Sequence, residues 1–257
     1  MSKQPLKLLM LHGYTQSGPL FHAKSRALIK HLTKAFPLHD VTATYPTGPL
    51  RLNPADIPGY EPTQETPTEP LEAYGWFRRS NTASPPEYLG LEDGLAAVAK
   101  VMSEEGPFDG VIGFSQGAAM AAMVVSLLEP GRKEAFARFW MRMLRRRGRF
   151  ALCYSGFRSP GARYRGFYES PALQTPILHV LGSLDAVVEE SRSRALVEAC
   201  AGDPEKEGKV VWHPGGHFLP SQRPYLDAAV RFIREQLEGG NKKDAEEEDV
   251  NDMDLPF

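Results

Sequence analysis

The stretch Phe108-Asp109-Gly110-Val111-Ile112-Gly113-Phe114-Ser115-Gln116-Gly117-Ala118-Ala119 decides the fold. An apolar run ends at Phe114, a serine stands between two glycine-flanked positions, and an Ala- and Met-rich run continues to Leu128. The first run, Phe108–Phe114, is opened by Asp109-Gly110 and reads as a strand; Gln116–Leu128 reads as a buried helix. Gly-x-Ser-x-Gly at a strand-to-helix joint is the context of a nucleophile elbow. The turn is too tight for side chains two residues either side of the serine, and Gly113 and Gly117 add no Cβ. The Ser115 hydroxyl then stands at the carboxyl end of the sheet. Beside it the Gln116 N–H has no intrahelical acceptor and points toward negative charge. The plainer alternative is a serine in an ordinary strand-to-helix turn.

Working outward, apolar runs alternate with helical patterns. Leu6–Leu11 reads as a first strand running into His12-Gly13. Residues 19–35 carry Phe21, Leu28, Ile29 and Leu32 on one helical stripe. Val41–Tyr45 reads as a strand. Residues 46–70 hold seven prolines and no periodicity, which predicts a long irregular loop. A helix is predicted over 89–104 through Leu91, Leu95, Val98 and Met102. Strands follow at Phe150–Tyr154, Pro176–Leu181 and Lys209–Trp212, and helices at 189–201 and 222–238. Strands separated by helices imply an α/β fold, a mainly parallel central sheet covered by helices on both faces. Residues 1–238 form that domain. Residues 239–257 read as a solvated, disordered acidic tail, since 241–257 hold seven acids against two lysines.

Composition narrows the classes. With 257 residues, 42% hydrophobic and 24% charged, the chain is neither a disulfide-stapled miniprotein nor a collagen-like or wholly disordered chain. The formal net charge of -2 makes no global case for nucleic acid. No apolar run reaches the ~18 residues a membrane span needs. The opening residues read as a strand rather than a signal peptide, and the cytoplasm is the expected compartment. The two cysteines, Cys153 and Cys200, are expected to be reduced. Residues 134–147 pattern as a basic amphipathic helix. It is read first as a solvated surface helix, with docking on an anionic membrane or an acidic carrier protein as the alternative.

A serine needs a base, and in this fold class the order is Ser…Asp…His. Asp185 lies just past the strand ending at Leu181, and His217 closes His213-Pro214-Gly215-Gly216-His217 after another strand. Both fall in loops at carboxyl ends of strands, where open α/β sheets bind ligands. Asp203 and Asp109 are rivals placed at the opposite end of the sheet. His213 is the alternative base; His217 is preferred because two glycines free its approach. The spacing of His213 and His217 would suit zinc only on a helix, which Pro-Gly-Gly opposes. His22, His31, His39 and His179 read as structural, and so does His12. His12-Gly13-Tyr14-Thr15-Gln16 follows the first strand, and an oxyanion needs one donor from such a loop. Tyr14 N–H and Gln116 N–H are the candidate pair.

The residues at 11–18 (Leu-His-Gly-Tyr-Thr-Gln-Ser-Gly), 73–77 (Ala-Tyr-Gly-Trp-Phe), 106–119, 155–157 (Ser-Gly-Phe), 182–185 (Gly-Ser-Leu-Asp) and 213–217 (His-Pro-Gly-Gly-His) together resemble the fungal and animal family of serine hydrolases. That family lies within the α/β-hydrolase superfamily, and an animal member was named as a tumour-suppressor candidate. The likeness spans about residues 6–237. It implies the α/β-hydrolase fold, a Ser115–Asp185–His217 triad, and esterase or thioesterase activity on acyl chains without cofactor or metal. The expected partner is a small acyl ester or thioester, or an acyl chain on a carrier protein. Trp76, Phe77, Phe157, Val187, Val188 and Phe218 are the candidate walls of an apolar acyl pocket. A non-catalytic acyl-binding or protein-interaction module on the same scaffold is the competing function. It has no need of a complete Ser–Asp–His set.

Overall fold

The structure, a computed structural model, describes residues 2–57, 72–80, 82–132 and 148–251. Ten strands form among the described residues: β1 (Gln4–Leu11), β2 (His39–Thr44), β3 (Leu50–Arg51), β4 (Tyr74–Gly75), β5 (Arg78–Arg79), β6 (Tyr88–Leu89), β7 (Gly110–Phe114), β8 (Phe150–Tyr154), β9 (Ile177–Gly182) and β10 (Val210–His213). Six of them pair in the order β10-β9-β8-β7-β1-β2, every pair parallel. The α-helices among the described residues are α1 (Gly18–Ala35), α2 (Leu91–Glu105), α3 (Gln116–Leu128), α4 (Glu190–Glu198) and α5 (Arg223–Asn251).

Successive side chains of a strand face opposite ways, and the burial follows that period. Leu9, Leu11, Val111, Ala151 and Cys153 join one core with α2, α3 and Leu196 of α4. Leu8, Met10, Ile112, Phe114, Leu152 and Tyr154 join the other, under α1 and α5. A parallel sheet covered on both faces has no solvated side, which is why its strands read as continuous apolar runs. Helix α3 is buried over nearly its whole length, as its Ala and Met content predicts.

The boundaries of α3 and β8 match the sequence reading. Two expectations need correcting. Residues 46–57 are not wholly irregular, because β3 pairs antiparallel with β4. The last helix does not stop at 238 but runs to Asn251. It crosses Gly239-Gly240, at roughly 1 kcal/mol each, into Lys-, Ala- and Glu-rich sequence that favours helix. Cys153 and Cys200 are free thiols. No helix among the described residues is long and apolar enough to cross a membrane. The basic segment at 134–147 and most of the proline-rich loop lie outside the described residues.

Candidate active site

The elbow sits between β7 and α3. Ser115 has φ 53° and ψ -116°, a conformation that costs a non-glycine residue about 1–3 kcal/mol. Its surroundings hold it there. Ser115 N–H donates to Tyr154 O at 2.8 Å, and Ser115 O accepts from Ala118 N–H at 3.0 Å and Ala119 N–H at 3.1 Å. The two glycines are required by contact. A Cβ on Gly113 would lie 2.2 Å from Gly117 O, and one on Gly117 would lie 2.0 Å from Leu11 O. Strand β1 therefore passes directly against the first turn of α3.

Asp185 and His217 arrive from the loops after β9 and β10. These strands are paired with Gly182 opposite His213. Leu184 N–H donates to Gly215 O at 3.0 Å, which ties the two loops together. His217 Nε2 lies 2.9 Å from Ser115 Oγ, and His217 Nδ1 lies 2.8 Å from Asp185 Oδ2. Asp185 Oδ1 accepts from Val187 N–H and Val188 N–H, both at 2.9 Å. Burial pushes the Asp185 carboxyl up, but the hydrogen bonds from Val188, His217 and Val187 outweigh it and hold it below its ordinary range. An ionised Asp185 accepts a hydrogen bond from Nδ1–H, which fixes the proton there and leaves Nε2 as an acceptor facing the serine. Phe114 packs on the imidazole, with ring centroids 4.9 Å apart.

The rivals are elsewhere. His213 is buried, its Nδ1 accepts from Gly215 N–H at 3.2 Å, and it packs between Phe218 and Tyr225. Asp109 accepts from Lys7 N–H, and Asp203 pairs with Lys206 at 2.7 Å. His179 is buried beside Cys200, and burial lowers its pKa to about 3. His31 pairs with Asp227, while His22 and His39 pack on Tyr45 and Phe36.

His12 holds the loop that carries Tyr14. Its Nδ1 donates to Gly13 O at 2.7 Å and its Nε2 accepts from Gly48 N–H at 2.8 Å. Burial lowers its pKa to about 4, so it is neutral at pH 7. Sequence reasoning missed the Gln116 side chain. Its Oε1 accepts from Trp76 N–H at 2.7 Å and its Nε2 donates to Phe77 O at 2.7 Å. This amide imitates a neighbouring strand and fixes residues 76–77 above the helix start.

Two clefts meet at Ser115. The first, of about 430 Å³, is walled by Phe77, Tyr88, Phe157, Val187 and Val188, and reaches Tyr14 and Gln116. The second, of about 550 Å³, is lined by His217, Phe218, Phe114, Leu219 and Val187, and also touches Tyr14. Of the six expected wall residues, Trp76 is the exception. It is fully buried, and its Nε1–H donates to His12 O at 2.9 Å, so it braces the loop from behind rather than facing either cleft. The sequence reading also missed Arg78, Arg79 and Arg192, which reach the first cleft. The signal available for Arg192 was its place on the helix that directly follows the Asp185 loop.

Comparison with known proteins agrees with this architecture. Residues 1–229 match the family described as Serine hydrolase (FSH1). The chain is 36% identical over 242 residues to a dihydrofolate reductase of Schizosaccharomyces pombe, covering 91% of this chain and 48% of that protein. It thus spans about half the length of that relative. It is 35% identical to Esterase OVCA2 of Danio rerio, covering 90% of this chain and 100% of the relative. Among solved structures it is similar to acyl-protein thioesterase 2 of Zea mays, at TM-score 0.61 and 19% identity, covering 91% of this chain and 95% of that one. That likeness marks the α/β-hydrolase fold. With the family match over residues 1–229, this chain belongs to the FSH1 family of serine hydrolases.

Proposed function

We propose that the chain hydrolyses acyl esters or thioesters through an acyl-enzyme, with Ser115 as nucleophile, His217 as general base and acid, and Asp185 as its orienting partner. The observation that carries this reading is the 2.9 Å approach of His217 Nε2 to Ser115 Oγ, backed by the 2.8 Å contact from Nδ1 to Asp185. His217 takes the hydroxyl proton as Ser115 attacks the carbonyl, and Asp185 stabilises the imidazolium. Tyr14 and Gln116 N–H groups receive the oxyanion, each such donor being worth roughly 10²–10³ in rate. His217 then delivers its proton to a leaving alkoxide, or assists a thiolate, and activates water for deacylation.

The two clefts take different roles on this reading. The leaving group must come within reach of His217 Nε2, and His217 lines only the second cleft. The acyl chain therefore extends into the first, between Phe77, Phe157 and Val188. A free ester and an acyl chain on a carrier protein both satisfy this arrangement. The test uses aryl esters and acyl thioesters of graded length, with Ser115→Ala as the comparison. We expect Ser115→Ala to abolish fluorophosphonate labelling and to lose at least about 10³ in kcat. Retained turnover above about 10⁻³ of wild type removes Ser115 from its role.

A further inference from the structure

The first cleft carries more charge than a neutral acyl chain needs. Three arginines reach it, Arg78, Arg79 and Arg192. Arg78 is neutralised by Asp56 at 2.7 Å. Arg79 and Arg192 have no carboxylate within ion-pair distance among the described residues. Arg79 is exposed at the mouth, whereas Arg192 is half-buried. Its guanidinium lies 4.2 Å from the Phe157 ring centroid, so it covers the wall that would pack an acyl chain. The residue is also firmly placed. Arg158 N–H donates to Arg192 O at 3.1 Å, and Ser193 Oγ donates to Gly156 O at 2.8 Å.

Tyr88 is the second observation. Its side chain is buried and stacked between Phe77, at 4.1 Å, and Tyr164, at 5.0 Å. Its Oη has Arg192 and Ser159 as polar neighbours but makes no hydrogen bond of normal geometry among the described residues. A buried hydroxyl without a partner costs about 1–3 kcal/mol. The Arg192 guanidinium is half-buried and, among the described residues, has only the Phe157 ring and the Tyr88 hydroxyl beside it, so it is free to take an anion. Both are satisfied together by one acceptor that carries negative charge, since guanidinium–carboxylate contacts are charge-assisted and suited to two-point recognition.

We infer that Arg192 and the Tyr88 hydroxyl bind a carboxylate borne by the acyl chain, so that the preferred substrates are esters or thioesters of acidic acyl groups. This rests on the assignment of Ser115 as nucleophile and of the first cleft to the acyl chain. Phe77 and Val188 pack the methylene part of the chain, and the acid end meets Arg192 where it lies over Phe157. Arg192 is a specificity residue on this view and takes no part in the bond-making steps.

The experiment compares 4-nitrophenyl octanoate with the mono-4-nitrophenyl ester of suberic acid, which has the same carbon count and adds a terminal carboxylate. Wild type is expected to favour the acid ester. Arg192→Ala should lower the acid-to-neutral ratio of kcat/KM about 10- to 100-fold, mostly through KM. Tyr88→Phe should lower it about 2- to 10-fold. Arg192→Lys, which keeps charge and stem, should lower it less than Arg192→Ala. It serves if the alanine variant does not fold. Calorimetric titration of the monoamide of suberic acid and of octanamide, which differ only in the terminal carboxylate, into the wild-type chain gives a readout independent of turnover. The acid amide should bind more tightly, and its advantage should vanish in Arg192→Ala and shrink less in Arg192→Lys. If no ester is turned over yet the acid amide binds in an Arg192-dependent way, the nucleophile assignment fails and the carboxylate site alone stands. An acid-to-neutral ratio unchanged by all three variants overturns it. A rate gain found with a phosphopantetheine thioester of octanoate, and not with the suberate ester, also overturns it by placing the anion on the leaving group.

Discussion

The Gln116 side chain grips the backbone at Trp76: Trp76 N–H donates to Gln116 Oε1 at 2.7 Å, and the same amide returns a 2.7 Å hydrogen bond to Phe77 O. One residue thus presents its N–H beside Ser115 and holds the neighbouring wall with its side chain. Gln116→Ala separates the two roles, because the backbone donor survives. The variant leaves a buried N–H and a buried carbonyl unpaired, at about 2–4 kcal/mol in all. We expect Tm to fall by roughly 5–12 °C, and kcat/KM to fall as the Phe77 wall loosens. Differential scanning fluorimetry with ester kinetics checks both, and an unchanged Tm refutes the clamp.

Asp185→Asn should keep the fold and lose the chemistry. The amide oxygen can still accept from Val187 and Val188, which turns its NH₂ toward His217 Nδ1. The imidazole then carries its proton on Nε2 and cannot accept one from Ser115. A kcat loss of about 10⁴ is expected for this kind of tautomer error. Circular dichroism together with steady-state kinetics tests this, and a loss under tenfold contradicts the assigned role.

Gly117→Ala should fail in folding rather than in turnover. Its Cβ would lie 2.0 Å from Leu11 O and 2.5 Å from His12 O, both backbone atoms that cannot step aside. Gly239→Ala is the control, since a Cβ there meets nothing within 4 Å and favours the helix. Soluble yield and Tm should collapse for the first and hold or rise slightly for the second.

Stability should fall on mild acidification. Burial lowers the pKa of His12 to about 4 and of His179 to about 3, against an ordinary value of 6.5. Below pH 6.5 the unfolded chain takes up protons at these sites while the folded chain does not, so stability drops as pH falls toward 4. By pH 5 each costs about 2 kcal/mol. The low pKa of Asp185 acts with the same sign but only below the ordinary carboxylate range, outside this window. Urea unfolding at pH 7.5, 6 and 5 measures the slope, and His179→Leu should remove about half of it. A flat profile would show that these imidazoles are not buried as described.

The elements of this fold were legible because they are local. Apolar runs bury strands on both faces, as at Val111–Phe114, and the Ala-rich run after Ser115 reports a helix packed all round. The elbow was legible for the same reason, since Gly113, Ser115 and Gly117 are neighbours whose spacing reflects a single tight turn. Asp185 and His217 were singled out as candidates from their order and their loops.

Other features depend on residues far apart in the chain. His217 meets Ser115 across 102 positions, and His12 meets Gly48 across 36. No periodicity records that Trp76 faces inward onto His12, that Gln116 clamps residues 76–77, or that Arg192 covers Phe157 beside Tyr88. Nor does local sequence end the last helix at 238, where helix-favouring residues carry it past two glycines. By itself the sequence determined most of the strands and helices and which side chains are candidates for the chemistry, because periodicity and turn sterics act between near neighbours. Only the tertiary structure decided which side chains share a cleft, because that depends on how the helices pack over both faces of one sheet.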